Sequence, residues 1–146
     1  QYLGENQRAM KLPRFSVWAL RLALLYLVLG FTLGGLLLFH KGIPLTAALW
    51  SILPLHIEVL IFGWLVHLIS GVAFWILPRF ARAPKRGNER LAWASLLLLN
   101  GGIWFSGLGP FFPVQAGLIL LGRTFELLAA VTFALHAWPR IKPPGP

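Results

Sequence analysis

The sequence predicts an all-α integral membrane protein, a single domain folded as a bundle of four transmembrane helices. Of its 146 residues, 58 % are hydrophobic and 12 % are charged, whereas about a quarter of the residues of a soluble domain are charged. A water-soluble fold of this length has too little interior to hide so much apolar surface. Most of the hydrophobic residues lie in four long stretches separated by short connections, and each stretch predicts a helix that crosses the bilayer.

The predicted spans cover residues 15–39, 45–78, 91–109 and 114–138. A hydrocarbon core of roughly 30 Å needs about 20 helical residues, so the second stretch is longer than one perpendicular crossing requires. Pro54 is expected to divide that stretch or to kink a tilted helix, because proline removes a hydrogen bond within a helix. Residues 46–53 are expected to lie at the membrane interface, with Trp50 as an anchor.

Basic residues give the chain a formal net charge of +9, and ten of the 13 lysines and arginines lie at the N-terminus, between spans two and three, or at the C-terminus. The positive-inside rule therefore places both termini and the middle connection in the cytoplasm. We expect an integral protein of a bacterial-type cytoplasmic membrane whose basic ends contact the lipid bilayer rather than nucleic acid. The absence of cysteine excludes disulfides, iron–sulfur clusters and covalently attached haem.

Titratable side chains within spans are rare and usually functional, and span two carries two of them close together, His56 and Glu58. A helix of 3.6 residues per turn places a set of residues on one face: His56, Leu60, Gly63, His67, Ser70 and Phe74. Two imidazoles with a glycine between them suit a flat metal cofactor, which needs a ligand and room for its plane. Alternatively, Gly63, Ser70 and Gly71 form a helix-packing seam and both histidines are hydrogen-bonded polar residues.

Two other polar residues are candidates for contact with a cofactor. His40 lies toward the same side as His56 and is a candidate second ligand for the metal of such a cofactor, although a histidine at the end of a span is more often interfacial. Arg123 must be neutralised inside a span, and either an anionic group of the cofactor or Glu126, three residues further along the helix, would do this.

Two further polar residues are expected to contact neighbouring helices. Glu58 is too close to His56 in sequence to face the same way along a helix, so we expect its partner on another span, such as Arg123. Asn100, in the middle of span three, is expected to hydrogen-bond a neighbouring helix.

A longer pattern runs through span two: His56-x-Glu58-x-x-x-Phe62-Gly63-Trp64, then Gly71, then Leu77-Pro78-Arg79. The pattern resembles haem-bearing helices in the catalytic subunit of haem–copper oxidases, and most closely those of the C-family cytochrome oxidases and the nitric oxide reductases. Three later features also resemble that subunit, so that the similarity covers residues 54–138: Arg90-Leu91, Asn100-Gly101-Gly102 and Arg123. The resemblance implies that His56 is an axial haem ligand near the outer side, which agrees with the topology given above. With haem as the cofactor, His40 is the candidate second axial ligand within the chain, and a haem propionate is the candidate anionic partner of Arg123.

The departures from that family are also informative. A complete haem–copper centre needs three further histidines that hold a second metal beside the haem. This chain has three histidines besides His56, but they lie at different depths of the membrane: His40, His67 and His136. None shows the family's spacing, and Glu58 stands where a second histidine can occur. We therefore expect no copper and no complete oxidoreductase within one chain. The oxidase subunit has three four-helix arcs, so a single arc implies a homo-oligomer, a dimer or a trimer, with haem near the interface.

Three functions remain open at this point. The first is a membrane haem b protein that transfers electrons or binds a diatomic gas, depending on whether its second axial position is filled. The second is a non-catalytic structural or assembly subunit of a respiratory-chain complex. The third is a small transporter with a relay of charged side chains in spans two and four. The candidate cofactor-binding residues are His56, which would hold the metal, Gly63, Arg123, His67 and His40.

Overall fold

A computed structural model describes residues 12–80 and 86–141, whose secondary structure is helical, with no β-strand among them. The α-helices are α1 (Arg14–Gly42), α2 (Leu53–Glu58), α3 (His67–Ile76), α4 (Glu89–Leu108) and α5 (Gln115–Ala137). A π-helical segment (Val59–Val66) joins α2 to α3, and three short 3₁₀-helices complete the described chain: Ala47–Ile52, Gly109–Phe111 and Trp138–Arg140.

Four of the helical stretches are long and apolar enough to cross a membrane, as predicted: Arg14–Gly42, Ala48–Ile76, Glu89–Phe111 and Gln115–Arg140. They are called spans one to four below. Large apolar side chains on their outward faces stay exposed, among them Leu25, Val28, Leu97 and Leu120. Because a soluble protein rarely exposes so many such residues together, this surface suits lipid rather than water.

Span two changes helix type twice along its length. Its first turns are 3₁₀, and the α-helical part begins at Leu53 with Pro54 in its first turn. Proline is tolerated there because the first N–H groups of a helix have no intrahelical partner. Pro54 thus lies where the helix type changes, within the continuous helical stretch Ala48–Ile76. The π-helical segment from Val59 to Val66 was not predicted, since its wider turn leaves no signature in the hydrophobic pattern.

The face of span two that was predicted from periodicity packs along α1. A Cβ on Gly34 would lie 2.6 Å from Cε1 of His56, and a Cβ on Gly63 would lie 2.6 Å from Cγ of Tyr26. Gly71 similarly faces Ala19 at 3.0 Å. This face is therefore a packing seam with α1 within the chain, and the expected homo-oligomer stays a prediction.

Spans three and four approach each other most closely where both backbones carry glycine. A Cβ on Gly122 would lie 2.5 Å from the backbone nitrogen of Ser106 and 2.8 Å from the carbonyl oxygen of Gly102. Backbone atoms surround this point, so a side chain here cannot be accommodated by a rotamer change. Small residues at such crossings let membrane helices pack closely without a hydrophobic driving force.

Replacing Gly122 with alanine is expected to separate α4 from α5 and to lower the free energy of unfolding by about 1–3 kcal/mol, the usual cost of overpacking. Gly117→Ala is the matched control, because Gly117 lies on the same helix and a Cβ there has no atom within 4 Å. Unfolding of both variants in mixed micelles measures the difference. Equal stability of the two variants would show that the close crossing at Gly122 is not required.

Candidate functional site

His56 lies at the end of the seam between α1 and span two, and its ring is partly exposed. Its Nδ1 lies 2.9 Å from the carbonyl oxygen of Gly30. Because a carbonyl oxygen only accepts, Nδ1 carries the proton and Nε2 of the neutral ring holds a free lone pair. Nε2 has no hydrogen-bond partner among the described residues.

This arrangement of His56 is typical of a metal-binding histidine. In such sites one ring nitrogen usually donates to a carbonyl or carboxylate, which fixes the tautomer and orients the other nitrogen toward the metal. Gly30 and Gly34 lie one turn apart on α1 and provide the acceptor and the space for the ring. The glycine pair of α1 was not recognised in the sequence, although its spacing of four residues is typical of close helix packing.

His67 is fully buried, and the fold uses both of its ring nitrogens. Nδ1 lies 3.0 Å from the carbonyl oxygen of Phe62, so it donates there, and Nε2 accepts from Nδ2 of Asn100 at 2.9 Å. Asn100 in turn accepts from the Tyr26 hydroxyl at 2.7 Å. The expectation that Asn100 hydrogen-bonds a neighbouring helix is confirmed. Haem ligation by His67 stays a prediction and would require breaking the Asn100 contact.

The space beside Gly63 is filled by an aromatic ring of the same chain. Tyr26 packs on Gly63, and its ring centroid lies 5.4 Å from that of His67. A cofactor plane beside Gly63 would have to displace this ring. Sequence reasoning missed Tyr26, although a tyrosine buried within a span was a signal, because its hydroxyl needs a hydrogen-bond partner.

His40 has the opposite tautomer to His56. Its Nδ1 accepts from the backbone nitrogen of Leu45 at 2.8 Å, so the neutral ring carries its proton on Nε2. The ring is buried and lies edge-on to Trp50 with a centroid distance of 5.8 Å. A second axial ligand role for His40 stays a prediction, and it would require the ring proton to move from Nε2 to Nδ1, which breaks the hydrogen bond from Leu45.

Arg123 joins two buried carboxyl groups into what is called here the carboxylate junction, formed by Glu58, Glu126 and Arg123. Nη2 of Arg123 binds Oε1 of Glu58, and Nη1 binds Oε2 of Glu126 at 2.8 Å. The predicted contacts of Arg123 with both Glu58 and Glu126 are confirmed. The predicted contact of Arg123 with a haem propionate stays a prediction. The two carboxyl groups already neutralise this guanidinium, so a propionate is not required for that purpose.

The carboxylate junction is buried but incompletely hydrogen-bonded. Glu58 is 3 % exposed and Glu126 is 7 % exposed, whereas the Arg123 side chain is 49 % exposed. Among the residues that the structure describes, Oε2 of Glu58 and Oε1 of Glu126 have no hydrogen-bond partner, and neither does the hydroxyl of Ser106 on α4. Unpaired buried polar atoms are rare in folded proteins and call for an explanation.

A cavity of about 320 Å³ lies between spans two and four, with span three at its back. Its lining is mostly apolar, and the acidic residue on its wall is Glu126. Polar contacts join span four to span two at two places. The first is the carboxylate junction, whose Glu126 lies on the cavity wall. The second is Arg140, at the end of span two.

Arg140 is 1 % exposed and binds the end of span two. Its Nη2 donates to the carbonyl oxygens of Phe74 at 3.0 Å and Leu77 at 2.8 Å, and its Nε donates to that of Pro78 at 3.1 Å. Nη1 lies 3.1 Å from Nε2 of His136. These carbonyls carry the negative end of the helix dipole, which suits a cation. The sequence indicated only a basic tail here.

Arg86, in the connection before α4, adds a second cation at the same helix end. Its Nη1 lies 3.4 Å from the carbonyl oxygen of Phe74. Burial lowers the pKa of Arg86, and the like charge of Arg79 lowers it further.

Comparison of the chain with protein-family models, with curated proteins and with solved structures finds no match.

Proposed function

We propose that this protein is a membrane haem b protein in which His56 is an axial ligand, and that it transfers electrons or binds a diatomic gas. The observation that supports this best is the hydrogen bond from Nδ1 of His56 to Gly30, which leaves Nε2 available to iron. The absence of cysteine restricts the haem to non-covalent attachment. When bound, the haem would supply the redox or gas-binding chemistry, and the chain would set its axial ligand and its apolar surroundings.

The second axial ligand is proposed to be His56 of a second copy in a homo-oligomer. His56 is partly exposed, and His40 uses Nδ1 within its own turn, so a symmetry-related imidazole is the simpler partner. Gly35, beside Gly34 on α1, has open space around it and would allow another helix or a ring to approach. Two histidines on one iron favour electron transfer, whereas a vacant position favours gas binding.

The protein is proposed to span a bacterial-type cytoplasmic membrane with both termini in the cytoplasm. The four long apolar helices and the lysines and arginines outside them support this topology. In this orientation His56 and the carboxylate junction lie toward the outer half of the membrane, and Arg140 lies toward the cytoplasm.

An absorption spectrum of protein expressed with ample haem tests the proposal. We expect a Soret band that shifts on reduction with dithionite and disappears in His56→Ala. Native mass spectrometry of the same samples counts chains and haems, and a ligand shared between copies predicts that the variant also loosens the assembly. A wild type without a Soret band, or a variant that keeps a low-spin six-coordinate spectrum, would refute ligation by His56.

His40→Gln separates the two candidate second ligands. If the partner is His56 of another copy, this variant keeps the wild-type spectrum. A change to a five-coordinate spectrum would instead assign the second position to His40.

A non-catalytic structural or assembly subunit of a respiratory complex is the second candidate. The observation that favours it is that Gly63, His67 and Arg123 all have partners within the fold. Purified protein that folds and associates with respiratory-chain subunits but never binds haem would support this candidate.

A further inference from the structure

We propose that the cavity between spans two and four is a binding site for a lipid-soluble alcohol or phenol, whose hydroxyl group donates a hydrogen bond to Glu126. This proposal is independent of haem binding.

The first support is the size and the character of the cavity. Its volume of about 320 Å³ lies within the range of small-molecule sites and is roughly twice that of an apolar cavity that holds benzene. An apolar body of about a dozen non-hydrogen atoms therefore fits. The wall includes three aromatic rings, those of Phe15, Phe62 and Phe133, and these favour an apolar ligand over a strongly hydrated one.

The second support is the hydrogen-bonding character of the wall. Its described polar side chains are those of Ser70, Ser95 and Glu126. The Ser70 hydroxyl donates to the carbonyl oxygen of His67 at 3.1 Å, and the Ser95 hydroxyl donates to that of Ala129 at 2.9 Å. A hydroxyl has one proton and a carboxylate has none, so these groups offer only lone pairs to a ligand. A ligand that matches the wall must therefore bring the donor, which an alcohol does and an ether does not.

The third support is an acceptor that the fold leaves unused. Glu126 is 7 % exposed, and its Oε2 accepts from Arg123 at 2.8 Å, whereas its Oε1 has no hydrogen-bond partner among the described residues. Oε1 is itself covered, but the last side-chain torsion of glutamate is broad, so a small turn of the carboxylate presents this oxygen to the cavity. A hydroxyl donor from the ligand then satisfies an oxygen whose burial without a partner is costly.

The fourth support is the opening of the cavity on the outer surface of the bundle. Three residues that line it are exposed: Ile69 of span two, and Ala130 and Ala134 of span four. Large apolar side chains cover the outward faces of these spans, so a molecule dissolved in lipid reaches the cavity without crossing water. The ligand is therefore expected to come from the bilayer.

Methyl NMR of the full chain in lipid nanodiscs, with labelled alanine, tests the proposal by titration with para-hexylphenol. We expect saturable shifts of the Ala130 and Ala134 methyl signals and none at Ala116, which lies at the start of the same helix, away from the cavity. The methyl ether of this phenol keeps the shape but lacks the donor. It should bind about tenfold more weakly, as expected for the loss of one hydrogen bond to a charged group.

Dodecanol and its methyl ether form a second pair of probes. The hydroxyl compound should again bind more tightly than its ether. Whichever of the two hydroxyl compounds binds more tightly assigns the apolar body to a ring or to a straight lipid chain.

Three variants locate the site. Ala130→Phe fills the opening and should abolish the shift at Ala134, whereas Ala116→Phe should keep it. Glu126→Gln gives the wall an amide donor, so the preference for the phenol over its ether should disappear.

The comparison of phenol and ether on the wild type decides the question if a variant fails to fold. Equal affinity for the two compounds would refute the proposal, since Oε1 would then be served by water or by nothing. Shifts that do not saturate, or that persist unchanged in Ala130→Phe, would also refute it, because the probe would then be dissolved in the surrounding lipid.

Discussion

Replacing Arg123 with methionine is expected to lower the free energy of unfolding by about 3–5 kcal/mol, the range for removing one partner of a buried ion pair. Arg123 is the donor to both Glu58 and Glu126, and their other oxygens have no partner among the described residues. The variant therefore leaves four carboxyl oxygens without a donor. Unfolding in mixed micelles, followed by circular dichroism, measures the loss.

Two further variants show whether this loss arises from unpaired carboxyl groups. Arg21→Met removes an exposed arginine from span one, where Arg21 lies 6.0 Å from the ring of Trp18, and should change stability little. Adding Glu58→Gln and Glu126→Gln to Arg123→Met removes both carboxyl groups and should restore much of the loss. If Arg123→Met alone costs less than about 1 kcal/mol, the contact behaves like a surface ion pair.

The charge pairs and helix positions that were predicted correctly are those for which an apolar span allows few alternative arrangements. Residues within spans that carry charge have hardly any partners to choose from, so Glu58, Arg123 and Glu126 were paired from their positions alone. Pro54 likewise has few compatible positions in a helix, and it lies in the first turn of the α-helical part of span two. An unpaired charge or an unsatisfied backbone group costs several kcal/mol in an apolar environment, so few arrangements of these residues are stable there.

The contacts of the functional face of span two were not predicted, because they depend on which other element covers that face. Periodicity placed His56, Gly63 and His67 on one face, but it does not say whether a cofactor, a second copy or α1 covers that face. The answer came from small and aromatic residues of α1, such as Gly34 and Tyr26, whose own pattern is unremarkable within an apolar span.

Arg140 illustrates a further limit of sequence reasoning. Its partners are three backbone carbonyls at the end of span two, and carbonyls are present at every residue. No residue type in the sequence therefore marks the binding site for this guanidinium. Arg140 lies in the 3₁₀ turn Trp138–Arg140 at the end of span four, and its hydrogen bonds join this end to the end of span two.

Replacing Arg140 with methionine should lower the free energy of unfolding by about 3 kcal/mol, because hydrogen bonds to a charged group contribute about 1.5–3 kcal/mol each and are not additive. Methionine fills similar space but leaves the carbonyls of Phe74, Leu77 and Pro78 without these donors. Amide hydrogen exchange should accelerate at both joined ends, in residues 74–78 and 136–141. Loss of stability without faster exchange there would mean that Arg140 does not hold the two spans together.

Two further variants show which property of Arg140 stabilises the fold. Arg140→Lys distinguishes the contribution of the charge from that of the guanidinium shape, and Arg79→Met tests whether any cation at this end of span two has the same effect. Arg140→Lys keeps the cation at the negative end of the helix dipole but replaces the planar fork, which donates from three nitrogens, with one ammonium group. It should lose less stability than Arg140→Met. Arg79→Met removes an exposed cation from the same end of span two and should have little effect. If Arg140→Lys matches the wild type, charge alone is sufficient, and the fork geometry at the three carbonyls adds nothing to stability.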